Sequence, residues 1–125
     1  AEPVVEQACQ LLAQRVEPAF LERLQKMQPS NVFVNVYEAG EEHGTKKHED
    51  TEPVFGTVTV MLTDSDTEGS PDAAHGLRIL GRTDDDVEHE LHLRKYEMVA
   101  IGPRVRHWVP CVARENSRAT MNLFF

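Results

Sequence analysis

The chain has 125 residues, a length that predicts a single domain over residues 1–125 with one hydrophobic core. Hydrophobic residues make up 40% and charged residues 27%, as in ordinary globular proteins, and no apolar run approaches the roughly 20 residues of a membrane span. The net charge of −8 disfavours nucleic acid as a partner, because an acidic surface repels a phosphate backbone. The two cysteines suit a reducing compartment, and no signal-peptide pattern opens the sequence, so a cytoplasmic location is expected.

Helical spacing dominates the first 30 residues. Apolar side chains recur there at the intervals of a helix: Val4, Val5, Ala8, Leu11 and Leu12. Pro18 breaks this run and suits the first turn of a second helix. The sequence therefore predicts a helical flank over residues 1–30.

From Asn31 onwards the apolar pattern changes to that of strands. NVFVNVY (31–37) alternates in character, and VFGTVTVML (54–62) is rich in β-branched residues. Shorter candidates follow, separated by turns such as GRTDDD, GPR and RENS: LRIL, HELHL, YEMVAI, RHWVPCV and RATMNLFF. The polar stretches EEHGTKK and DSDTEGSPDAAHG are predicted loops. About eight short strands after two helices predict a mainly β barrel or jelly roll with N-terminal flanking helices.

Two potential metal ligands, His48 and Asp50, stand two residues apart in the stretch KKHEDTEP. On a strand, residues i and i+2 share a face, so both side chains reach one ion or lie equally well on a wet surface. A third ligand is offered by His107, which opens an apolar strand near the C-terminus. Two histidines and one carboxylate form the ligand set of non-haem iron(II) oxygenases. Arg118 lies among apolar residues of the last predicted strand, where it needs a carboxylate partner such as a dicarboxylic acid.

The order of these residues resembles the Fe(II)/2-oxoglutarate-dependent dioxygenase superfamily. In that family the His-x-Asp motif lies on the second core strand, the distal histidine on the seventh, and an arginine on the eighth binds the far carboxylate of 2-oxoglutarate. Thr120, two residues after Arg118, is similar to the family's Arg-x-Ser pattern. Tyr37 and Gly40 resemble the Tyr-x-x-Gly entry of prolyl-hydroxylase-like members, and together with Asn35 they resemble the Asn-x-Tyr-x-x-Gly of the alkylation-repair dioxygenases; in both groups this segment helps line the 2-oxoglutarate pocket.

This resemblance implies a double-stranded β-helix over residues 31–125. It implies two sets of site residues: the metal-binding and catalytic residues His48, Asp50 and His107, and the 2-oxoglutarate-binding residues Arg118, Thr120, Tyr37 and Asn35. The implied cofactors are iron(II), 2-oxoglutarate as cosubstrate and O₂, with ascorbate as a further candidate; manganese, cobalt or nickel would occupy the same ligands. The implied reaction hydroxylates a C–H bond and releases succinate and CO₂.

Several functions stay open at this stage. The entry YEAG followed by HED favours the prolyl-hydroxylase-like branch, with a protein side chain or a small molecule as substrate. A demethylase of alkylated nucleic acids is an alternative from the same superfamily. A cupin with other chemistry, such as an isomerase, usually carries His-x-His, which this sequence lacks; a non-catalytic β-helix binding module is the third alternative. So short a chain largely lacks substrate-reading loops, and an oligomer or a partner domain is expected to complete the substrate side.

Five neighbouring residues are expected to lie outside the metal site. Glu49, between the two ligands, points to the opposite face, and Trp108 faces away from the metal. His89 and His92 are surface residues, and His43 belongs to a solvated loop near the site.

Overall fold

The computed structural model describes residues 28–80 and 87–125. The predicted helices and the GRTDDD turn lie outside the described residues. Within them the chain is mainly β, as predicted, with one short 3-10 helix, Ala73–His75. The strands are β1 (Asn31–Tyr37), β2 (Glu42–His43), β3 (Thr57–Met61), β4 (Leu77–Leu80), β5 (Glu88–Leu91), β6 (Met98–Ile101), β7 (His107–Trp108), β8 (Val112–Ala113) and β9 (Arg118–Phe124). Nothing helical in this part of the chain has the length and apolar character needed to cross a membrane.

The strands form three antiparallel sheets. The four-stranded sheet has the order β1-β9-β3-β6, the three-stranded sheet the order β5-β4-β7, and β2 pairs with β8. An isolated bridge between His48 and His107 adds the His-x-Asp segment beside β7. Residues far apart in sequence are thereby placed next to each other at the edge of the three-stranded sheet.

The four-stranded sheet has one apolar face and one polar face, because successive side chains of a strand point to opposite sides. Its apolar face holds a core cluster: Val58, Val60, Met121, Leu123 and Phe125. The alternate residues Thr57 and Thr59 on β3 and Arg118, Thr120 and Asn122 on β9 are also buried, but they face the interior between the sheets. β9 therefore supplies the hydrophobic core on one side and a polar cavity on the other.

A second core cluster joins the two larger sheets. Tyr37 and Ile101 come from the four-stranded sheet, Leu77 comes from the three-stranded sheet, and Val109 follows β7. All four are buried, and they pack together across the space between the sheets. This packing fixes the two sheets face to face around the polar cavity.

Two predicted strands are interrupted in the structure. The strand predicted at 54–62 begins only at Thr57, because Gly56 has a φ of +146° and the preceding Val54 and Phe55 are 76% and 70% exposed. The strand predicted as RHWVPCV is divided into β7 and β8. Pro110 lies between the two pieces and has no N–H to offer a ladder.

The stretch EEHGTKK, predicted as a loop, contains the short strand β2. Glu42 pairs with Ala113 and His43 with Val112. Gly44 permits this close packing, since a Cβ at that position would lie 2.5 Å from the carbonyl oxygen of Val109. The segment is therefore bound to the β-helix along one side.

Candidate metal centre

His48, Asp50 and His107 converge at the wall of the cavity between the sheets, with ligand atoms within 4.8 Å of one another, and the side chain of His48 is 42% exposed. The carboxylate lies between the two imidazoles: Nε2 of His48 is 3.3 Å from Oδ1, and Nε2 of His107 is 3.3 Å from Oδ2. Reciprocal backbone hydrogen bonds of 3.1 and 2.9 Å between His48 and His107 hold the rings side by side, with centroids 4.4 Å apart. The three atoms are thus placed to share one cation.

Hydrogen bonds on the far side of each ring set the orientation of the imidazoles. Nδ1 of His48 lies 2.6 Å from the carbonyl oxygen of Lys46, and Nδ1 of His107 lies 2.9 Å from that of Val105. A carbonyl oxygen only accepts, so Nδ1 carries the hydrogen in both rings. In the neutral tautomer each Nε2 then keeps its lone pair for a metal.

Asp50 is held as a carboxylate by its neighbours. Thr57 Oγ1 donates a hydrogen bond of 2.7 Å to Oδ2. Burial raises the pKa of Asp50, but hydrogen bonds from His107 and Thr57 outweigh it, so the pKa lies below its ordinary value. Burial lowers the pKa of His107, but the hydrogen bond to Asp50, the hydrogen bond to the Val105 carbonyl and the charge of Asp50 together outweigh that effect, so this pKa is raised. The site therefore presents a charged oxygen ligand between two nitrogen ligands.

A cavity of about 110 Å³ adjoins the three ligands. Its walls include all seven residues predicted for the site: His48, Asp50, His107, Arg118, Thr120, Tyr37 and Asn35. β1 contributes its polar and aromatic side to this wall, while Val34 and Val36 on the other side of the strand are 51% and 54% exposed. The structure thus brings the predicted residues together, and their roles stay predictions.

Arg118 is fully buried at the cavity wall and is only partly paired. Its Nε lies 3.1 and 3.2 Å from the two carboxylate oxygens of Asp66. Nη1 and Nη2 are buried and have no hydrogen-bond partner among the described residues. The carboxylate partner expected for this arginine is thus supplied in part by the chain itself, and two nitrogens remain for another acceptor.

A second buried arginine, Arg114, lies near Arg118. Arg114 is 3% exposed, and its Nη groups donate to the carbonyl oxygens of His43, His75 and Pro110. Burial lowers the pKa of Arg114, and the nearby charge of Arg118 lowers it further. The two guanidinium carbons lie 5.3 and 5.1 Å from the ring centroid of Tyr37. Two buried arginines therefore lie near Tyr37, and the buried carboxylate of Asp66 interacts with the charge of both.

Sequence reasoning does not reveal Asp66 or Arg114. Asp66 belongs to the polar stretch DSDTEGSPDAAHG, and Arg114 is the first residue of the polar stretch RENS. Residues of such stretches are ordinarily exposed to solvent. Only the tertiary fold buries them, so the sequence carries no local signal for their part in the site.

The residues expected outside the site lie outside the cavity wall. Glu49 is exposed, with Oε1 4.0 Å from Nε of Arg106. Trp108 packs under the ammonium of Lys47, 4.5 Å from the ring centroid. His43 belongs to β2 and lines a neighbouring depression of about 320 Å³ that shares Asn35, Tyr37 and Thr45 with the cavity wall.

The two predicted surface histidines lie on or near β5. His89 is exposed, and Nε2 of His92 lies 3.3 Å from a carboxylate oxygen of Glu90. Both stay away from the three converging ligands, as expected.

No family model matches this sequence, and no curated protein sequence matches it either. Solved structures do resemble it. A Pseudomonas putida prolyl-4-hydroxylase matches with a TM-score of 0.60 and 16% identity, covering 98% of this chain and 78% of that protein. The Drosophila melanogaster CENP-C cupin domain matches with a TM-score of 0.53 and 10% identity, covering 77% of this chain.

The fold is a cupin-type double-stranded β-helix. The capsular polysaccharide assembling protein CapF from Staphylococcus aureus also matches, with a TM-score of 0.53 and 15% identity over 77% of this chain. This chain spans 61% of the CENP-C cupin domain and 24% of CapF. At these identities the likeness establishes the jelly-roll fold, which confirms the predicted fold class for the described residues.

Proposed function

We propose that this protein is an Fe(II)- and 2-oxoglutarate-dependent dioxygenase that hydroxylates a C–H bond of a protein side chain or a small molecule. The observation that carries this proposal is the content of one cavity: a two-histidine, one-carboxylate cluster and a buried guanidinium with two unpaired nitrogens. The first matches the ligand set of non-haem iron(II) oxygenases, and the second matches the fork that binds a carboxylate.

The residues present fit the metal. His48 and His107 would bind iron(II) through Nε2, because Nδ1 of each ring donates to a backbone carbonyl. Asp50 would add an anionic oxygen and cancel one of the two charges of the ion. Iron bound there would supply the activation of O₂, in a reaction that converts 2-oxoglutarate, O₂ and R–H into succinate, CO₂ and R–OH.

The residues at the other end of the cavity fit the distal carboxylate of the cosubstrate. Arg118 would receive it on Nη1 and Nη2, which satisfies two groups that are costly to bury unpaired. Thr120 is 2% exposed, and its hydroxyl oxygen accepts a hydrogen bond of 3.3 Å from Asn122 Nδ2, so its own proton is free to donate. Tyr37 would pack beside the bound acid and exclude water.

The prime substrate is best approached from the prolyl-hydroxylase-like side. Tyr37 and Gly40 with the His-x-Asp motif resemble that branch, and the net charge of −8 disfavours a nucleic acid. A prolyl peptide is therefore the first substrate to test, and a small molecule is the second.

The proposal is tested by titrating 2-oxoglutarate into anaerobic protein loaded with iron(II), following the metal-to-ligand absorption band. The band is expected in the wild type, absent in His48→Ala and weakened in Arg118→Ala, because these changes remove a metal ligand and the carboxylate fork. Metal binding that both substitutions leave unchanged, with no band, would refute the proposal.

Turnover provides an independent readout. Admission of O₂ is expected to release succinate slowly even without a prime substrate. A cupin of other chemistry or a non-catalytic binding module would bind metal or ligand and release none.

A further inference from the structure

Asp66 makes an unusual contact with Arg118. Both of its carboxylate oxygens converge on the single nitrogen Nε, at 3.1 and 3.2 Å, whereas a carboxylate commonly engages two nitrogens of the planar guanidinium in parallel. The ion pair is fully buried, with side-chain exposures of 1% for Arg118 and 0% for Asp66. Within the part of the chain that the structure describes, the terminal edge of the guanidinium, Nη1 and Nη2, has no hydrogen-bond partner.

An ion pair that only stabilised the fold would be expected to leave fewer buried donors of the guanidinium unpaired. Buried unpaired donors are costly, and this contact leaves both Nη1 and Nη2 without an acceptor among the described residues. The cost is offset when an acceptor occupies the terminal edge, and in the proposed function that acceptor is the distal carboxylate. Because a contact at Nε restricts rotation of the guanidinium plane, it also determines where Nη1 and Nη2 lie.

The surroundings hold Asp66 in this place. Its Oδ2 would lie 3.1 Å from a Cβ at residue 76, a position occupied by glycine. That glycine also approaches the carbonyl oxygen of Leu91, so the backbone behind the carboxylate has little freedom to move. The ring of Tyr37 lies 5.1 Å from the guanidinium carbon of Arg118. The guanidinium therefore has a carboxylate at Nε and an aromatic ring as neighbours.

We propose that Asp66 is a positioning residue for the cosubstrate: its contact at Nε orients the guanidinium of Arg118 so that Nη1 and Nη2 receive the distal carboxylate. Asp66 does not touch the ligand; it acts through Arg118. The inference rests on the proposed function, since it assumes that a 2-oxo acid with a distal carboxylate occupies the cavity.

The test compares two ligands in anaerobic, iron(II)-loaded protein. 2-Oxoglutarate and 2-oxopentanoate share the five-carbon chain and the keto acid, but only the first carries a distal carboxylate. The ratio of their dissociation constants isolates the contribution of that carboxylate. A charge-assisted fork predicts a ratio on the order of tenfold to a hundredfold in the wild type.

Three variants identify the role of Asp66. Arg118→Met is expected to abolish the ratio. Asp66→Ala is expected to reduce it by about tenfold while the affinity for 2-oxopentanoate stays unchanged, because the guanidinium then rotates freely. Asp66→Asn is expected to retain most of it, because the amide oxygen still accepts from Nε. A purely structural role would weaken both ligands alike, so a wild-type ratio in Asp66→Ala, or an equal loss for both acids, overturns the inference.

A double variant covers the case in which Asp66→Ala fails to fold with an unpaired buried cation. Asp66→Ala/Arg118→Met removes both charges and is compared with Arg118→Met alone. The two are expected to show the same ratio, since Asp66 has no other route to the ligand, and a difference overturns the inference. If the wild type itself fails to discriminate between the acids, the proposed function fails and this inference with it.

Discussion

Substitution of Thr57 by valine tests whether the hydrogen bond to Asp50 supports metal binding. Thr57 is 4% exposed on β3, and its hydroxyl donates to Oδ2 of Asp50 over 2.7 Å. That distance is at the upper end of the range for a hydroxyl donating to an ionised carboxylate. Valine keeps the shape of the side chain and removes only the donor, so the carboxylate loses the group that holds it towards the imidazoles.

The size of the effect follows from the charge on the acceptor. A hydrogen bond to a charged group contributes roughly 1.5–3 kcal/mol, and loss of a partner behind a metal ligand lowers metal affinity about 10–100-fold. The bond already exists without metal, so part of its loss appears as reduced stability. We therefore expect the affinity of Thr57→Val for a divalent metal to fall by about tenfold.

The assay is competition with a chromophoric chelator, using cobalt(II) as a redox-stable probe. Thr59→Val is the matched control: Thr59 lies two residues along the same face, is 6% exposed, and donates to Asn122 Oδ1 over 2.8 Å. This control is expected to lose stability and to keep wild-type metal affinity. Equal losses of affinity in both variants, or none in Thr57→Val, would refute the reasoning.

Three further predictions concern stability. Gly76→Ala is expected to lower the free energy of unfolding by about 1–3 kcal/mol, because the new Cβ would lie 2.5 Å from the carbonyl oxygen of Leu91; an unchanged Tm would contradict this close approach. Val60→Ala, at a position with no exposed surface, is expected to cost about 2–3 kcal/mol in urea unfolding, and a loss under about 0.5 kcal/mol would contradict its place in the core. Burial raises the pKa of Asp72, but hydrogen bonds from the β8–β9 turn outweigh it, so the folded pKa lies below the ordinary value of an aspartate. The stability that the Asp72 carboxylate contributes is present above that value and is lost as pH falls through the folded pKa. In unfolding curves recorded from pH 5 downwards, the free energy of unfolding of Asp72→Asn should therefore depend less on pH than that of the wild type. Identical pH dependences would rule this out.

Strands of four or more residues are largely predictable from the sequence, whereas the two-residue strand β2 is not. β1 coincides with NVFVNVY and β4 with LRIL, and β9 begins at Arg118 as predicted. β2 has two residues, too few for any periodicity, and only its pairing with β8 defines it. The break between β7 and β8 has a plain cause in the sequence: Pro110 has no backbone N–H to donate to a neighbouring strand.

The faces of β1 show a second limit of the pattern. Alternation correctly separates Asn35 and Tyr37 from Val34 and Val36, but polarity alone would place the valines inside. The structure places the asparagine and the tyrosine at the cavity, whose wall also includes the polar side chains of Thr57, Thr120 and Asn122. For the site itself, the ordered motif brings out the three converging ligands, whereas Asp66 acquires its contact only through tertiary folding.

The two faces of β9 make the strand sensitive to the parity of any change in its length. Arg118, Thr120 and Asn122 face the cavity, and Met121 and Leu123 face the core. Insertion of one residue after Arg118 would move every later side chain of the strand to the opposite face. Asn122 would then point into the hydrophobic core and Met121 into the cavity. Insertion of two residues would keep each side chain on its own face and change only the pairing with β1 and β3. Variation in length at the C-terminal edge of this fold is therefore expected in the turn before Arg118, where parity has no meaning.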